Sequence, residues 1–429
     1  MRLAFFSPLP PAATGIAEYS ADLLAILSEG HEIDAFHDQE SIEPARLPEG
    51  CGLHRAAAFP DRHRQRPYDL TVYQMGNGRD HAFLYDHLSR VPGLLVLHDL
   101  VLHHSRAAQF LEAEPVRAWR LDPGSAPARA AAQPWLDAWR EELRYTYPER
   151  GERLFQAQLG TVGDLLPYAY PLLRLPVEAS RAVAVHSRYA AEAVREEVPS
   201  AEVVRVPMST SAREVDRSAV DALRRRLGFE DHHLVIGTFG LLTPEKRIDA
   251  VARAVVRAAA WNPDVRLLLA GPAPDGARLE ALVDRLGAAA RTVITGRVAL
   301  DELPVHIQAT DIVVQLRYPT ARETSAALLR VLAQGRATVI SDLAHQDGIP
   351  ADAVVRADVT DEEGELTRAL LQLGAHPGRR ADLGRRAAAY VAREHSPAAV
   401  RAAWEGALER ARRHPARPPG DWPTHWPRP

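Results

Sequence analysis

Short apolar runs alternate with amphipathic stretches along most of this chain. In the first half the runs are Arg2–Phe6, Glu32–Phe36, Asp69–Gln74, Gly93–His98, Arg181–His186 and Glu202–Val206. Most of them are separated by segments in which apolar residues recur with the period of a helix. Such alternation is typical of parallel strands that are covered by helices on both faces of a sheet. We therefore predict an N-terminal Rossmann-like domain over residues 1–208.

The alternation starts again after a polar stretch, Ser209–Arg217, which we interpret as a linker. The runs of the second half are Leu234–Phe239, Val265–Ala270, Thr292–Thr295, Asp311–Leu316, Ala337–Ser341 and Ala353–Arg356. They predict a second Rossmann-like domain over residues 209–395. A helix over 396–414 follows, and the Pro- and Trp-rich tail, 415–429, is expected to be either disordered or draped over the surface.

A segment at about 105–176 interrupts the rhythm of the first domain. It is rich in Arg, Pro and aromatic residues, and we interpret it as a helical insertion. Its middle, Asp122–Pro134, contains Pro, Gly, Ser and Ala, and we expect a mobile loop there. Trp135 and Trp139 lie near arginines, which is also seen in helices at a membrane surface. Packing of these aromatic residues inside the insertion is the favoured interpretation.

The composition narrows the function classes. The chain has 429 residues, of which 46% are hydrophobic and 25% charged, and its net charge of −4 gives no basic field for nucleic acid. A single cysteine, Cys51, excludes an internal disulfide framework and a thiolate metal cluster. No apolar run reaches the roughly 18 residues of a membrane span, and prolines interrupt any N-terminal signal peptide. We therefore expect a cytoplasmic protein.

Lysine is nearly absent from the chain. Lys246 is the single lysine among 52 basic residues, and all the others are arginine. A coding bias that replaces exposed lysines by arginine explains the arginines, but it does not explain why one position has kept its lysine. Because a guanidinium is a wide planar fork and an ammonium a compact point charge, a cramped site would refuse the exchange.

Lys246 lies in the segment Gly237–Asp249, GTFGLLTPEKRID, where a predicted strand ends in a Gly-containing turn ahead of a helix. At Gly240 the backbone can approach a ligand, and Lys246, Arg247 and the helix N-terminus favour a phosphate. A solvated turn with ordinary surface charges is the competing interpretation, and the motif alone does not decide between the two.

A second candidate anion site follows the predicted strand Asp311–Leu316. In the segment Tyr318–Gly335, Thr324 and Ser325 occupy a helix N-cap position with free backbone N–H groups nearby. Glu323 could accept hydrogen bonds from sugar hydroxyls. Alternatively, Thr324 is only a cap and Glu323 only complements the helix dipole.

In their order, these segments resemble the family 4 glycosyltransferases, which have the GT-B fold and use nucleotide-diphosphate sugars. The resemblance covers most of residues 1–413 and depends on the ordered segments TGIAEYS, LLVLHD, AVHSRY, FGLLTPEKRID, LLLAGP, ITGRV and RETSAALLRVLAQG. It implies an α/β GT-B architecture, with two Rossmann-like doubly wound domains, a cleft between them, and a C-terminal helix that returns to the N-terminal domain. It also implies sugar transfer with retention of configuration.

The resemblance assigns donor-site roles residue by residue. Lys246 matches the family lysine that holds the donor diphosphate, but Leu241 stands where its arginine partner belongs. Glu323, with a one-residue shift, matches the acidic residue at the donor sugar, and Arg330 replaces the glutamate that binds the ribose. Arg330 either supplies the charge missing at position 241, or meets a different ribose or base, or lies on the solvent side of its helix. Further donor-binding candidates are Gly15, Gly240, Arg247, Arg297, Thr324 and Ser325.

The first domain supplies the remaining candidates. His98 and Asp99, at a strand end, resemble the family's His–Asp pair beside the reacting sugar carbon, although a hydrogen-bonded structural histidine is the competing interpretation. The catalytic candidates are thus His98, Asp99, Lys246 and Glu323. His103 and His104 could suggest a metal, but the family needs none, so we expect neither a metal nor another cofactor. Candidates on the acceptor side of the cleft are Gln74, Gly76, Asn77 and Arg188.

These assignments predict a glycosyltransferase that moves a sugar from a UDP- or GDP-linked donor to an acceptor hydroxyl. The expected acceptor is a glycan or glycolipid in cell-surface or polysaccharide synthesis, and the protein is expected in the cytoplasm or at the inner face of the membrane. Two alternatives stay open. One is another GT-B enzyme, such as a nucleotide-sugar 2-epimerase or a glycoside phosphorylase. The other is a non-catalytic, glycosyltransferase-like binding protein, which the departures at Leu241 and Arg330 keep open.

Overall fold

The computed structural model describes residues 1–12, 14–160, 166–418 and 420–426. The chain divides into two compact units. The first consists of Met1–Ser209, Ala321–Thr324 and Val400–Pro429, and the second of Thr210–Thr320 and Ser325–Ala399.

A parallel sheet of seven strands forms the centre of the first unit. The strands are β1 (Arg2–Phe6), β2 (Glu32–His37), β3 (Gly52–Arg55), β4 (Leu70–Met75), β5 (Leu94–Leu97), β6 (Ala182–Val185) and β7 (Val203–Arg205). Their order across the sheet is β3-β2-β1-β4-β5-β6-β7, and each neighbouring pair is parallel. The direction of winding reverses between β1 and β4. Doubly wound sheets bind ligands at such a switch point, outside the carboxyl ends of the strands.

Helices connect these strands and cover the sheet. They are α1 (Gly15–Leu27), α2 (Phe59–Gln65), α3 (Ala82–Arg90), α4 (His103–Leu111), α5 (Glu114–Leu121), α6 (Ala126–Thr146), α7 (Gly151–Leu159), α8 (Leu166–Ala169), α9 (Arg174–Glu178) and α10 (Arg188–Glu197). All residues of β5 and β6 are buried. Because a strand that is covered on both faces is apolar throughout, continuous apolar runs located these strands in the sequence.

The second unit repeats the architecture with six strands. They are β8 (Leu234–Phe239), β9 (Val265–Ala270), β10 (Thr292–Gly296), β11 (Ile312–Gln315), β12 (Ala337–Ser341) and β13 (Val355–Ala357). The order is β10-β9-β8-β11-β12-β13 with parallel pairs throughout, so the switch point lies between β8 and β11. The helices are α11 (Arg217–Arg226), α12 (Ile248–Ala259), α13 (Gly276–Arg285), α14 (Leu303–Gln308), α15 (Ala326–Ala333), α16 (Glu362–Ala375) and α17 (Pro377–Glu394).

The last helix, α18 (Pro397–Arg413), belongs to the first unit from Val400 onward. Its Trp404 is fully buried, and Glu405 Oε1 lies 3.0 Å from His31 Nε2 of the first unit. Within the described ranges, no helix is long and apolar enough to cross a bilayer.

The insertion is helical, but its middle is not the mobile loop that we expected over Asp122–Pro134. There α6 begins at Ala126, where Ser125 Oγ accepts from the Ala128 amide at 3.3 Å and caps the helix. Alanine is the strongest helix former, and proline is well tolerated in a first turn. The insertion also has a core of its own around the fully buried Trp139.

A buried ion pair joins α4 and α6 to the C-terminal tail. Arg106 and Glu142 are 3% and 2% exposed, and both Glu142 oxygens accept from the guanidinium. Glu142 Oε2 also accepts from His425 Nε2 and from Trp426 Nε1, each at 3.0 Å. Burial alone would raise the pKa of Glu142, but Arg106 and His425 lower it to about 2. The segment 420–426 of the tail is therefore draped over the first unit.

Candidate functional site

The carboxyl ends of β8 and β11 bring Lys246 and Gln315 together. Lys246 ends the turn after β8 and is 3% exposed, and its Nζ donates to Gln315 Oε1 at 2.9 Å. Gln315, the last residue of β11, donates through Nε2 to Phe239 O, at the end of β8, at 3.1 Å. Because β8 and β11 flank the switch point, the ammonium lies where doubly wound sheets bind their ligands.

Two glycines shape the backbone beside this ammonium. Gly240 has a left-handed φ of +100°, and a Cβ there would lie 3.8 Å from Lys246 Nζ and 3.4 Å from Ala327 Cβ. A Cβ on Gly271 would lie 1.9 Å from Gly240 O, so the turn after β9 accepts only glycine. The ends of β8 and β9 therefore approach closely, and Lys246 Nζ lies against Gly240.

Arg247, the next residue, is held in ion pairs between α12 and α16. Its Nε donates to Glu362 Oε2 at 2.8 Å, and its Nη1 lies 3.8 Å from Asp249 Oδ1. Arg253 extends the network from Asp249 to Glu363. The guanidinium of Arg247 thus stabilises the packing of two helices, whereas the neighbouring ammonium faces the strand ends.

The loop after β11 leads into the N-terminus of α15. Ser325 Oγ accepts from the Leu328 amide at 3.2 Å, which makes Ser325 the N-cap directly after Thr324. Ala327, in the first turn, is the residue that a Cβ on Gly240 would meet. The first turn of α15, where the helix dipole favours an anion, therefore lies next to Gly240.

Glu323 lies in the short segment Ala321–Thr324, which groups with the first unit. Leu100 N donates to Ala321 O at 3.0 Å, just after the His98–Asp99 pair. Arg322 adopts a left-handed φ of +62°, which is uncommon for a residue other than glycine. Glu323, half-buried, is thus held in a segment that is hydrogen-bonded to the loop following β5.

His98 is buried in a chain of hydrogen-bonded side chains. It is 8% exposed, with Nε2 2.8 Å from Gln74 Oε1 and Nδ1 3.0 Å from His186 Nε2. His186 Nδ1 donates in turn to Val206 O at 2.9 Å. Burial, together with His186 and His81, lowers the pKa of His98 well below its ordinary value. A buried ring that stays neutral fits a positioning role better than that of a proton carrier.

Asp99 and Asn77 meet at the ends of β5 and β4. Asp99 Oδ2 accepts from the Asn77 amide at 2.9 Å, and Asn77 Nδ2 lies 2.9 Å from His104 Nδ1. Asn77 Oδ1 also accepts from the Ser105 amide at 3.2 Å. The structure therefore brings Gly76, Asn77 and Asp99 together. Gln74, by contrast, is fully buried beneath them, where it contacts His98.

The remaining candidates lie singly at the ends of other elements. Gly15 begins α1, with open space where a side chain would be. Arg188 and Arg297 are exposed, at the start of α10 and directly after β10, and Arg330 is half-buried in α15. Leu241, which stands at the position of the expected arginine, is 52% exposed.

One group of described residues has the spacing of metal ligands, namely His232, His233 and Asp264. It lies at the amino ends of β8 and β9, at the opposite edge of the sheet from Lys246. His233 Nδ1 accepts from the Glu230 amide at 2.9 Å, so the neutral ring carries its proton on Nε2. A metal at Nε2 would have to displace that proton, and the group is not part of the donor site.

Gln315 and His186 are site residues that the sequence motifs did not reveal. Each lies at the end of an apolar run, where it looks like an ordinary polar boundary residue. The available signal was positional, because a polar residue that ends a central parallel strand lies at the ligand edge of the sheet.

Comparison with known proteins finds a family that part of the second unit resembles. Residues 233–376 match the family described as glycosyl transferases group 1. This range runs from β8 to the end of α16 and includes Gly240, Lys246 and Gln315. That part of the chain is therefore similar to the group 1 glycosyl transferases.

Two curated relatives extend the comparison. The chain is 31% identical over 167 residues to 2-deoxystreptamine glucosyltransferase of Streptomyces kanamyceticus, which is 39% of this chain and 38% of the relative. It is 25% identical over 353 residues to a GDP-mannose-dependent monoacylated alpha-(1-6)-phosphatidylinositol monomannoside mannosyltransferase of Corynebacterium glutamicum, covering 77% of this chain and 87% of the relative. The chain thus spans well under half of the first relative and most of the second.

Among solved structures, sucrose-phosphate synthase from Thermosynechococcus elongatus superposes with a TM-score of 0.67 at 18% identity, over 96% of this chain and 98% of that one. The fold is GT-B. The predicted fold class is therefore confirmed, and the group 1 domain together with the curated relatives supports transferase activity.

Proposed function

We propose that the protein is a retaining family 4 glycosyltransferase that moves a sugar from a UDP- or GDP-linked donor to an acceptor hydroxyl. The observation that carries this proposal is the Lys246 ammonium, which lies buried at the switch point of the sheet, against Gly240. A compact cation close to the N-terminus of α15 favours a diphosphate. The relative from Corynebacterium is named as GDP-mannose-dependent, which supports a nucleotide-sugar donor.

The chemistry follows from where charge develops. As the bond between the sugar and the diphosphate breaks, negative charge grows on the diphosphate, and the acceptor hydroxyl attacks from the same face. Lys246 and the first turn of α15 stabilise that charge, and a fixed donor of this kind contributes about 3 kcal/mol. The reaction depends more on this stabilisation than on a strong base. A buried His98 whose pKa is lowered well below its ordinary value is consistent with such a mechanism.

Other residues are proposed to contact the donor sugar and the acceptor. Glu323 accepts hydrogen bonds from hydroxyls of the donor sugar, and Gly15 allows the sugar and phosphate to approach the backbone. Asp99 and Asn77, which hydrogen-bond each other, contribute to the acceptor side together with Arg188. Domain closure over the donor would exclude the water that would otherwise hydrolyse it.

Arg330 is proposed to supply the positive charge that Leu241 does not provide. The substitution Arg330→Ala should lower affinity for the donor nucleotide in calorimetric titration. An exposed arginine of the same unit, Arg386 on α17, provides a matched control that should leave the affinity unchanged. If Arg330→Ala has no effect either, Arg330 has no role in the donor site.

The proposal includes no metal and no other cofactor, so an excess of EDTA should leave turnover unchanged. We place the enzyme in the cytoplasm, acting on a glycan or glycolipid, and peripheral membrane contact through the insertion is the less favoured alternative to packing of its aromatic residues. Leu121 and Trp135 are 88% and 39% exposed there. Flotation with anionic vesicles tests this contact, and failure of the protein to float would exclude it.

The experiment that tests the function is a transfer and hydrolysis assay over a panel of UDP- and GDP-sugars. NMR of the product should show that the anomeric configuration is retained. Inversion would contradict the mechanism, and epimerised or phosphorolysed sugar would favour one of the other GT-B chemistries. Nucleotide binding without turnover on any acceptor would favour a binding protein, an alternative that Leu241 and Arg330 support because they replace two donor-site residues.

A further inference from the structure

Gln315 is held at both ends of its amide. Its Nε2 donates to Phe239 O at 3.1 Å, and its Oε1 accepts from Lys246 Nζ at 2.9 Å. A backbone carbonyl can only accept, so the bond to Phe239 fixes which end of the amide faces the ammonium. Gln315 and Lys246 are each 3% exposed, and neither side chain can turn away into solvent.

Gln315 is a neutral partner for Lys246, whereas other cations at the start of α12 and along it pair with carboxylates. Arg247 donates to Glu362, and Arg253 and Arg257 both contact Glu363. A carboxylate offsets the charge of the cation that it holds, whereas an amide oxygen accepts the same hydrogen bond and leaves the charge in place. Gln315 thus orients an ammonium without neutralising it.

The orientation has a definite direction. The bridge spans the ends of β8 and β11, the two strands at the switch point, and Nζ lies where a Cβ on Gly240 would be 3.8 Å away. Gly240 carries no side chain, and a Cβ there would also lie 3.4 Å from Ala327 Cβ, in the first turn of α15. The amide therefore holds Nζ beside the helix N-terminus that favours an anion.

We propose that Gln315 is a positioning residue for the donor diphosphate, which aims the Lys246 ammonium at the phosphates through an uncharged hydrogen-bond acceptor. The inference rests on the proposed function, because it requires that a nucleoside diphosphate binds at this strand edge. Gln315 acts through Lys246 and need not touch the donor.

The test is Gln315→Glu, which keeps the size of the side chain and adds a negative charge. Binding of UDP and GDP, and of uridine and guanosine, is measured by calorimetry for the wild type and the variant. We expect Gln315→Glu to weaken binding of the diphosphate roughly tenfold or more. The added carboxylate competes with the phosphate for the Lys246 ammonium, and the hydrogen bond between a phosphate and an ammonium is of that strength. Affinity for the nucleoside should change less than about threefold, because the nucleoside has no phosphate to meet Lys246.

Two further variants distinguish the loss of the hydrogen bond from the added charge, and both from an effect on folding. Gln315→Met removes the acceptor without adding charge, and we expect it to reduce the preference for diphosphate over nucleoside by about threefold. Gln372→Glu adds the same charge at an exposed position on α16 and should leave all affinities unchanged. The melting temperature without ligand shows whether each variant is folded, and the preference for diphosphate is independent of the fraction folded.

The outcomes distinguish the inference from the proposed function. If the wild type binds neither UDP nor GDP, the proposed function fails, and the role of Gln315 fails with it. If the wild type binds one of them and either Gln315 variant keeps the full preference for diphosphate, only the inference is overturned. The proposal is supported if the preference for diphosphate falls in Gln315→Met and falls further in Gln315→Glu. The first loss shows that the hydrogen bond orients Lys246, and the second shows that the partner has to be uncharged.

Discussion

Two buried cations in this chain differ in the partner that each has. Arg106, in the first unit, faces the carboxylate of Glu142, whose oxygens also accept from His425 and Trp426. Lys246, in the second unit, donates to the neutral amide of Gln315. Both cations are 3% exposed. The carboxylate of Glu142 offsets the positive charge of Arg106 and closes a structural network, whereas the amide of Gln315 accepts a hydrogen bond from Lys246 without adding a negative charge. The difference is what our proposal predicts if the charge of Arg106 serves stability and that of Lys246 serves donor binding.

The largest effect is expected from Glu142→Gln. The change leaves the Arg106 guanidinium buried without its counter-charge, and breaking a buried ion pair in this way costs about 3–5 kcal/mol. Urea unfolding should show this loss in the free energy of unfolding, while affinity for the donor nucleotide in the folded variant stays at its wild-type value. A loss below about 1 kcal/mol would show that the pair is not structural.

Acid should remove a similar stabilisation from the wild type. Because the pKa of Glu142 is lowered from 4.5 to about 2, its contribution is complete above pH 4.5 and is lost as the pH falls toward 2. That contribution is about 3 kcal/mol. The difference in unfolding free energy between wild type and Glu142→Gln isolates it, since His103, with its pKa lowered by burial to about 4, titrates in both proteins. A difference that does not change over this range would contradict the assignment.

Lys246→Ala should have the opposite effect to Glu142→Gln, with a large loss of activity and a small loss of stability. We expect kcat/KM to fall roughly a hundredfold, which corresponds to about 2.7 kcal/mol of lost transition-state stabilisation. The melting temperature should fall less than it does in Glu142→Gln, because Lys246→Ala leaves a neutral Gln315 oxygen, rather than a buried charge, without its partner. Arg257→Ala, an exposed cation of α12, is the matched control for the removal of charge. Near-normal turnover of Lys246→Ala would remove the basis of the proposed function.

The smallest change in the free energy of unfolding is expected from a substitution in the C-terminal tail. Trp426→Phe keeps an aromatic ring but removes the Nε1 donor to Glu142 Oε2. Loss of one hydrogen bond to a charged group should lower the free energy of unfolding by about 1–2 kcal/mol, with kcat/KM unchanged. A change in kcat/KM comparable to that of Lys246→Ala would mean that the tail takes part in catalysis.

The apolar pattern of the sequence predicted most of the fold. The strands Leu234–Phe239, Val265–Ala270 and Ala337–Ser341 have the bounds that the apolar runs predicted. The strand β3 was missed, because its four residues, GLHR, are only partly buried at the edge of the sheet and form no apolar run. The start of α6 was wrongly predicted as a loop, because Pro and Gly near Ser125 masked the N-cap and the alanines that follow it.

The site was less accessible to sequence analysis than the fold. The motif and the single lysine drew attention to Lys246, but the partner that orients it comes from another strand of the sheet. Gln315 and Lys246 meet only because β8 and β11 are neighbours, and the pKa of His98 is lowered by burial and by His186, which comes from another strand. Contacts of this kind depend on strand order, which the motifs do not contain.

The central claim is that Lys246 holds the donor diphosphate in a site too cramped for a guanidinium. The most direct measurement is a calorimetric titration of UDP and of GDP into the wild type and into Lys246→Arg under identical conditions. The account predicts that one of the two nucleotides binds the wild type and that Lys246→Arg weakens its binding about tenfold, although the charge is the same. Equal affinity for the two proteins would contradict the claim and would leave the single lysine as a consequence of coding bias.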